Sequence, residues 1–227
     1  MNNRQRFCHH STFMARFRFI NTYLIALAVL MTHVPNASAE GWRVGVYSGQ
    51  WADTRLPYLP YNIATGRLTF SESYLSSVVV SRHLITRDFF IPGTTIGASD
   101  LRIELEGTAS IHRGFQTHQE ATIGLMLRTR DFGLGSIGNV NFGWANGLSY
   151  AFSPPSYEYG RNLVRGQDTV QLQYFMGFEA EYAHVSWDRL SVFARLHHRS
   201  GMYGVISPSK TGSNIIGVGM RLRLGRN

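Results

Sequence analysis

The chain has 227 residues, of which 22 are lysine or arginine, 14 are acidic and only one is cysteine. This length suits one domain, and a single cysteine excludes a fold stabilised by disulfides within the chain. The formal net charge of +8 at pH 7 favours an anionic partner, although solvated surface charge produces the same balance.

The first 39 residues have the three parts of a secretory signal peptide. Four basic residues and no acid come first: Arg4, Arg6, Arg16 and Arg18. The apolar run 19–31 follows, and Ala37-Ser38-Ala39 offers the small residues that signal peptidase requires. That run is shorter than the roughly 20 residues of a spanning helix, so we predict cleavage after Ala39. The mature domain would then be residues 40–227, which lack Cys8 and therefore any thiol chemistry.

Beyond residue 39, apolar and polar residues alternate with the period of two that is typical of half-buried β-strands. Eight segments follow this pattern: 41–51, 70–83, 100–112, 119–131, 139–151, 168–183, 189–200 and 213–224. Each has the roughly 9–11 residues that a tilted membrane strand needs. A soluble β-sandwich also alternates, but its core could not bury the full charges found on one face. We therefore predict an all-β fold, a transmembrane antiparallel β-barrel of about eight strands.

The charged face of these strands predicts a lumen filled by ion pairs instead of an open channel. We expect six arginines to point inward: Arg102, Arg128, Arg130, Arg195, Arg221 and Arg223. Their expected partners are Glu104, Glu106, Glu120, Glu179 and Glu181. Aromatic residues near strand ends are expected to form girdles at the two membrane surfaces: Trp42, Trp51, Trp144, Tyr150 and Trp187.

An even number of strands places both ends of the barrel in the periplasm, and this fixes the direction of every strand. External loops are then expected at 52–69, 113–118, 152–167 and 201–212, with a long periplasmic connection at 84–99. Gly219-x-x-Leu222-x-Leu224 resembles the assembly signal of outer-membrane proteins. We predict a protein of the bacterial outer membrane that meets the assembly machinery, membrane lipid and lipopolysaccharide. An exported protein of this kind is not expected to bind nucleic acid.

A His-x-Ser pair lies near the external end of the seventh predicted strand. Alternation puts Leu196, His198 and Ser200 on the lipid-facing side of this strand, and it puts His197 and Arg199 in the lumen. Residues two apart on one face lie about 7 Å apart at the backbone, so the imidazole of His198 can reach the hydroxyl of Ser200. Serine needs such a base, because its hydroxyl is a weak nucleophile at neutral pH.

An eight-stranded barrel with His-x-Ser at this place resembles the PagL family of lipid A 3-O-deacylases. The resemblance implies hydrolysis of an acyl ester of lipid A by a Ser-His-acid triad on the outer face of the barrel. Ser200 would be the nucleophile and His198 the general base. This chain departs from the family by having Gly201 where the family has asparagine, and by having no acid after Ser200. Asn214 and Asp168 are the candidates for the third member of the triad.

Two other interpretations stay open at this point. A non-enzymatic barrel would carry the same polar residues where strands meet lipid headgroups, and would bind partners through its loops. A metal site made of His197, His198 and His112 lacks a carboxylate or a thiolate, so neither a metal nor a cofactor is predicted. His112, His118 and Glu158 are expected to be solvated residues at the external rim.

Overall fold

The computed structural model describes residues 41–90, 92, 94, 97–158, 166, 170–208 and 211–225. Nine strands lie in these ranges: β1 (Trp42–Ala52), β2 (Phe70–Phe90), β3 (Gly97–Gly114), β4 (Gln119–Arg128), β5 (Phe132–Gly133), β6 (Gly138–Ala151), β7 (Leu172–His184), β8 (Leu190–Ser200) and β9 (Gly212–Arg223). A short helix, α1 (Leu59–Ala64), lies between β1 and β2. Over the same ranges, no helix combines the length and the apolar character needed to cross a membrane.

The eight long strands form a closed antiparallel barrel, and the two-residue strand β5 is an appendage of β6. Strand β4 pairs directly with β6, and the first strand pairs with the last from Arg43 opposite Arg223 to Trp51 opposite Ile215. Closure gives the backbone groups of every long strand a neighbour on both sides, which a lipid environment requires. The predicted all-β barrel of eight strands is confirmed.

The outer surface of the barrel is apolar. On β8, for example, Ser191 and Phe193 are buried inside, whereas Val192 and Ala194, which alternate with them, are exposed outside. The outward positions of the other strands also expose large apolar side chains: Val78, Leu105, Ile123, Leu125, Leu148, Phe178 and Val218. A continuous belt of this kind is suited to the hydrocarbon of a membrane and not to water.

The periplasmic half of the lumen is filled by eight charged side chains, which we call the ion-pair core: Arg43, Arg128, Arg195, Arg221, Glu104, Glu106, Glu179 and Glu181. Seven of them are buried, and Arg43 is half-buried. Arg221 Nη1 lies 2.5 Å from Glu179 Oε1 and 2.7 Å from Glu181 Oε2. Arg128 Nη2 lies 2.9 Å from Glu179 Oε1. Four arginines therefore balance four glutamates, and the inward direction predicted for Arg221 is confirmed.

Two of the predicted orientations and one predicted ion pair are wrong. Trp51 is not in a girdle: it is buried in the lumen at 1% exposure and packs edge-on against Tyr157, with the ring centroids 5.0 Å apart. Arg130 is exposed, because β4 ends two residues earlier and cannot carry it inward. Arg102 pairs with Asp131 at 2.8 Å, near the periplasmic mouth, and not with a glutamate of the lumen.

The connections at the two ends of the barrel differ in length. Strands β2 and β3 stay paired as far as Phe90 opposite Gly97, so the expected long connection at 84–99 is mostly a hairpin. The remaining turns at that end, 129–137 and 185–189, are also short. At the opposite end, three of the four connections are longer, 53–69, 152–171 and 201–211, and the fourth is the short turn 115–118. Short turns face the periplasm in barrels of this kind, so the end that carries Ser200 is external.

Candidate functional site

His198 and Ser200 lie on the outer face of β8, close to its external end. Both are half-buried, whereas the side chains of His197 and Arg199 are fully buried in the lumen. Strand β7 places Met176 opposite His198 on one side, and β9 places Asn214 opposite it on the other. The alternation of β8 therefore places His198 and Ser200 on the outer face, and the register with β7 and β9 places Met176 and Asn214 beside His198.

A chain of hydrogen bonds fixes the orientation of His198. Its Nδ1 lies 2.6 Å from Asn214 Oδ1 and 3.2 Å from the backbone oxygen of Ser213. Both oxygens can only accept, so Nδ1 carries the proton and donates it. Asn214 Nδ2 in turn donates to the backbone oxygen of Thr54 at 2.7 Å, which sets the orientation of the amide. In the neutral ring, Nε2 therefore carries the lone pair and is the atom that can accept a proton.

Ser200 shares this face, but its hydroxyl has a different neighbour. Ser200 Oγ accepts a hydrogen bond from the backbone N–H of Met202 at 3.4 Å. Within the described ranges, no hydrogen bond joins Ser200 to His198, so their contact requires a rotation of one side chain. Asp168, the other candidate for a third member, lies outside the described residues.

Gly201 has a steric reason to be glycine. A Cβ at this position would lie 2.2 Å from the backbone oxygen of Pro208 and 2.3 Å from that of Ser207. The backbone oxygen of Gly201 also accepts hydrogen bonds from the amides of Gly204, Ile206 and Ser207. The 201–211 loop thus folds directly onto Gly201, which leaves no room for the asparagine found in the deacylase family.

A second polar group fills the external half of the lumen, centred on Glu120. Glu120 Oε2 lies 2.7 Å from His112 Nε2, and Oε1 lies 2.9 Å from His197 Nε2. Ser149 Oγ donates to Oε1 at 2.7 Å. Tyr47 OH lies 2.8 Å from the other ring nitrogen of His197. From the sequence, Glu120 was expected to pair with an arginine, and imidazole partners were not expected.

The expectation that His112, His118 and Glu158 are solvated rim residues is wrong, because all three side chains are buried. Glu158 accepts hydrogen bonds from Arg199 Nη1 at 3.2 Å and from Gln173 Nε2 at 3.0 Å. The segment that follows β6 therefore turns back over the mouth of the barrel and supplies a carboxylate to its interior. A local sequence pattern contains no signal for such a return.

His118 lies within this group but makes no comparable bonds. Its ring stacks on that of His112 with centroids 4.0 Å apart and an interplanar angle of 13°. Burial lowers the pKa of His118 to about 3, and neighbouring His112 and Arg199 act in the same direction, so the ring is neutral at pH 7. The histidine trio considered from the sequence does not form, because His198 faces out while His197 and His112 face the lumen.

No protein-family model and no curated protein matches this chain. The crystal structure of the outer membrane enzyme PagL is similar at 10% identity, with 79% of this chain and 98% of that chain covered and a TM-score of 0.49. The crystal structure of Neisserial surface protein A (NspA) is similar at 12% identity, with 81% and 97% covered and a TM-score of 0.45. The closed barrel, its apolar belt and its filled lumen make this chain a small β-barrel of the bacterial outer membrane.

Proposed function

We propose that this barrel hydrolyses an acyl ester of lipid A, with Ser200 as nucleophile and His198 as general base. One observation carries the proposal: the hydrogen-bond chain from Thr54 through Asn214 to His198 Nδ1 leaves Nε2 as the basic atom. A third group that orients an imidazole in this way is the feature that separates a catalytic histidine from a rim histidine. An amide in this role has a precedent in cysteine proteases with a Cys-His-Asn arrangement.

In the proposed reaction, Ser200 Oγ attacks the acyl carbonyl carbon while His198 Nε2 takes the hydroxyl proton. The carbonyl oxygen becomes an oxyanion, for which the amide of Gly201 is the proposed donor. Collapse breaks the ester bond, and the sugar oxygen leaves with the proton from His198. A water molecule then hydrolyses the acyl-serine with the same base, releasing a fatty acid and restoring Ser200.

The position of the pair supports a lipid substrate. Leu196 and Ile216 lie directly opposite each other, one outward position below His198 and Asn214. Both belong to the outer face of the barrel, so an acyl chain can lie along this belt while its ester reaches His198. The external end of the belt is the depth at which the outer leaflet of the outer membrane exposes lipid A.

Mass spectrometry of lipid A from cells that express the barrel tests this proposal. Wild type is expected to yield lipid A lighter by one acyl chain, whereas Ser200→Ala and His198→Gln leave lipid A unchanged. Asn214→Ala is expected to slow deacylation without abolishing it, because Nε2 remains but the ring loses its anchor. Ser76→Ala, which removes an outward serine on β2, is the matched control.

Unmodified lipid A in cells that overexpress the wild type would refute the hydrolase, and full activity in Ser200→Ala would refute the assigned nucleophile. Each variant must also migrate like wild type on unboiled gels, so that a loss of activity is not a loss of folding. A rim hydroxyl contributes little to stability, so folding is expected to be unchanged.

A second candidate function is a non-enzymatic barrel that binds a partner through its external loops. Among the described residues of the external connections, seven large apolar or aromatic side chains are exposed by more than half: Tyr58, Tyr61, Ile63, Phe115, Phe152, Tyr203 and Val205. Tyr203 is 99% exposed and has a φ of 56°, a strained conformation for a non-glycine residue. Unmodified lipid A, together with cell binding that is lost on Tyr203→Ser, would favour this alternative.

A further inference from the structure

The external half of the lumen contains buried polar atoms without partners. Both ring nitrogens of His118 lack a hydrogen-bond partner among the described residues, although the residue is only 5% exposed. Two residues earlier, Gln116 Oε1 is also buried and also lacks a hydrogen-bond partner among the described residues. Leaving such an atom unsatisfied costs about 1–3 kcal/mol, so a buried imidazole with two free nitrogens indicates a missing ligand.

The surroundings of His118 supply further donor atoms. One ligand atom each from His112, His118 and Glu120 can be chosen so that all three lie within 4.8 Å of one another. Donor atoms around a tetrahedral zinc ion lie about 3.3 Å apart, so shifts of about 1 Å in the side-chain donor atoms bring all three within bonding distance of one ion. The backbone is already fixed, because the amide of His112 donates to the backbone oxygen of His118 at 2.8 Å.

We propose that His112, His118 and Glu120 bind one divalent transition-metal ion, of which Zn²⁺ is representative, in the lumen beneath the 115–118 turn. Two imidazoles and one carboxylate favour such an ion over Ca²⁺ or Mg²⁺, which take mainly oxygen ligands. Three protein ligands leave a fourth position for water or a small anion. His197 Nε2, 2.9 Å from Glu120 Oε1, holds the carboxylate from the side away from His112.

His112 can join this site without losing its neutral charge. At present its Nε2 donates to Glu120, and Gln116 Nε2 lies 3.1 Å from its Nδ1. A half-turn of the Gln116 amide brings Oε1 to that place, where it accepts the proton from Nδ1. The lone pair of Nε2 then faces the metal, and the unpaired oxygen of Gln116 gains a partner. Such an outer hydrogen bond is the usual support of a metal-bound histidine.

The charges of the lumen also favour a cation at this place. The ion-pair core is balanced, with four arginines and four glutamates, when half-buried Arg43 is included. In the external half, the buried charged residues among those described are Glu120, Glu158 and Arg199, which leaves an excess of one carboxylate. A dication bound to Glu120 therefore enters a region of negative charge within a low-dielectric interior.

Titration of the metal-free barrel in detergent with Co²⁺, followed by visible absorption and Zn²⁺ competition, tests the site. Wild type is expected to bind one ion per barrel and to show the absorption of a low-symmetry Co²⁺ site. His118→Phe keeps the ring stack but removes both nitrogens, and is expected to weaken binding by more than about 100-fold. His83→Phe, at an exposed histidine of β2, is the matched control and is expected to bind like wild type.

A measurement on the wild type alone guards against misfolding of the variant. Electron paramagnetic resonance of the Cu²⁺-loaded barrel is expected to show coupling to two imidazole nitrogens. Absence of stoichiometric binding in wild type would overturn the proposal and would assign the free nitrogens of His118 to water. Binding by folded His118→Phe as tight as that of wild type would overturn it as well, since the ion would then lie elsewhere.

Discussion

Glu179 gives the strongest test of the ion-pair core. Its carboxylate is fully buried and meets three guanidinium groups: Arg128 at 2.9 Å, Arg195 at 3.3 Å and Arg221 at 2.5 and 3.0 Å. Glu179→Gln keeps the volume of the side chain but leaves four arginines, three of them buried, facing three glutamates. Breaking a buried pair in this way costs about 3–5 kcal/mol, because the remaining charge stays buried without compensation.

Urea unfolding of the barrel in phospholipid vesicles, followed by tryptophan fluorescence, measures this free energy. Asp188→Asn is the control: its carboxylate is 95% exposed and lies 3.8 Å from Arg189, so no measurable change is expected. The double variant Glu179→Gln/Arg221→Gln restores the charge balance and should lose less than the sum of its two single variants. A loss below about 1 kcal/mol for Glu179→Gln would refute the reasoning, because it would mean that water already screens these charges.

Two further substitutions test the outer face and the loop at the candidate site. Val218→Arg, at the middle of β9 and 69% exposed on the outer face, is expected to cost about 2–4 kcal/mol in the same vesicle assay. Val218→Leu is its control, and an arginine without cost would place this face outside the hydrocarbon. Gly201→Asn is expected to displace the 201–211 loop, because its Cβ would meet Pro208 oxygen at 2.2 Å. Faster cleavage of that loop by added protease would reveal the displacement, and an unchanged cleavage rate would contradict it.

The predictable part of this fold is the part that alternation controls. Glu104, Glu106, Glu179 and Arg221 were expected in the lumen, and all four are buried there. A charge has no favourable position on the lipid side. The charged residues of each of these strands alone therefore decide which alternate side chains face the lumen and which face lipid. The alternation of β8 also predicts His198 and Ser200 on the outer face, where both lie.

Where a strand carries few charged residues, its inner and outer faces are harder to distinguish from the sequence. In β1, Tyr47 and Trp51 occupy one face with two glycines, Gly45 and Gly49, and the opposite face carries Val44 and Val46. The one charged residue of β1, Arg43, lies on the same face as Trp51 but at the other end of the strand, so the aromatic character of Trp51 pointed to a girdle. The structure turns it inward, because the register of β1 with β9 sets Trp51 opposite the buried Ile215.

The external half of the lumen was the least predictable region, because tertiary contacts create it. Glu158 reaches Arg199 from a segment that no strand pattern describes, and the two residues are 41 positions apart. His112 and His118 are separated by a turn whose closure buries both rings. Sequence patterns report the faces of strands, but they do not report which loops fold back to cover a barrel's mouth.

Strand β8 contributes to both proposed sites, from opposite faces of the barrel wall. His198 pairs with Asn214 on the outside, whereas the adjacent His197 lies opposite Ile215 and reaches Glu120 inside. A slip of one residue in the pairing of β8 would exchange these faces and would bring Arg199 into lipid, which its burial cost forbids. The register that protects Arg199 therefore also keeps the ester site and the metal site separate. Ser200→Ala should therefore abolish ester hydrolysis without changing metal binding. His118→Phe should weaken metal binding without changing ester hydrolysis, since no side chain belongs to both sites.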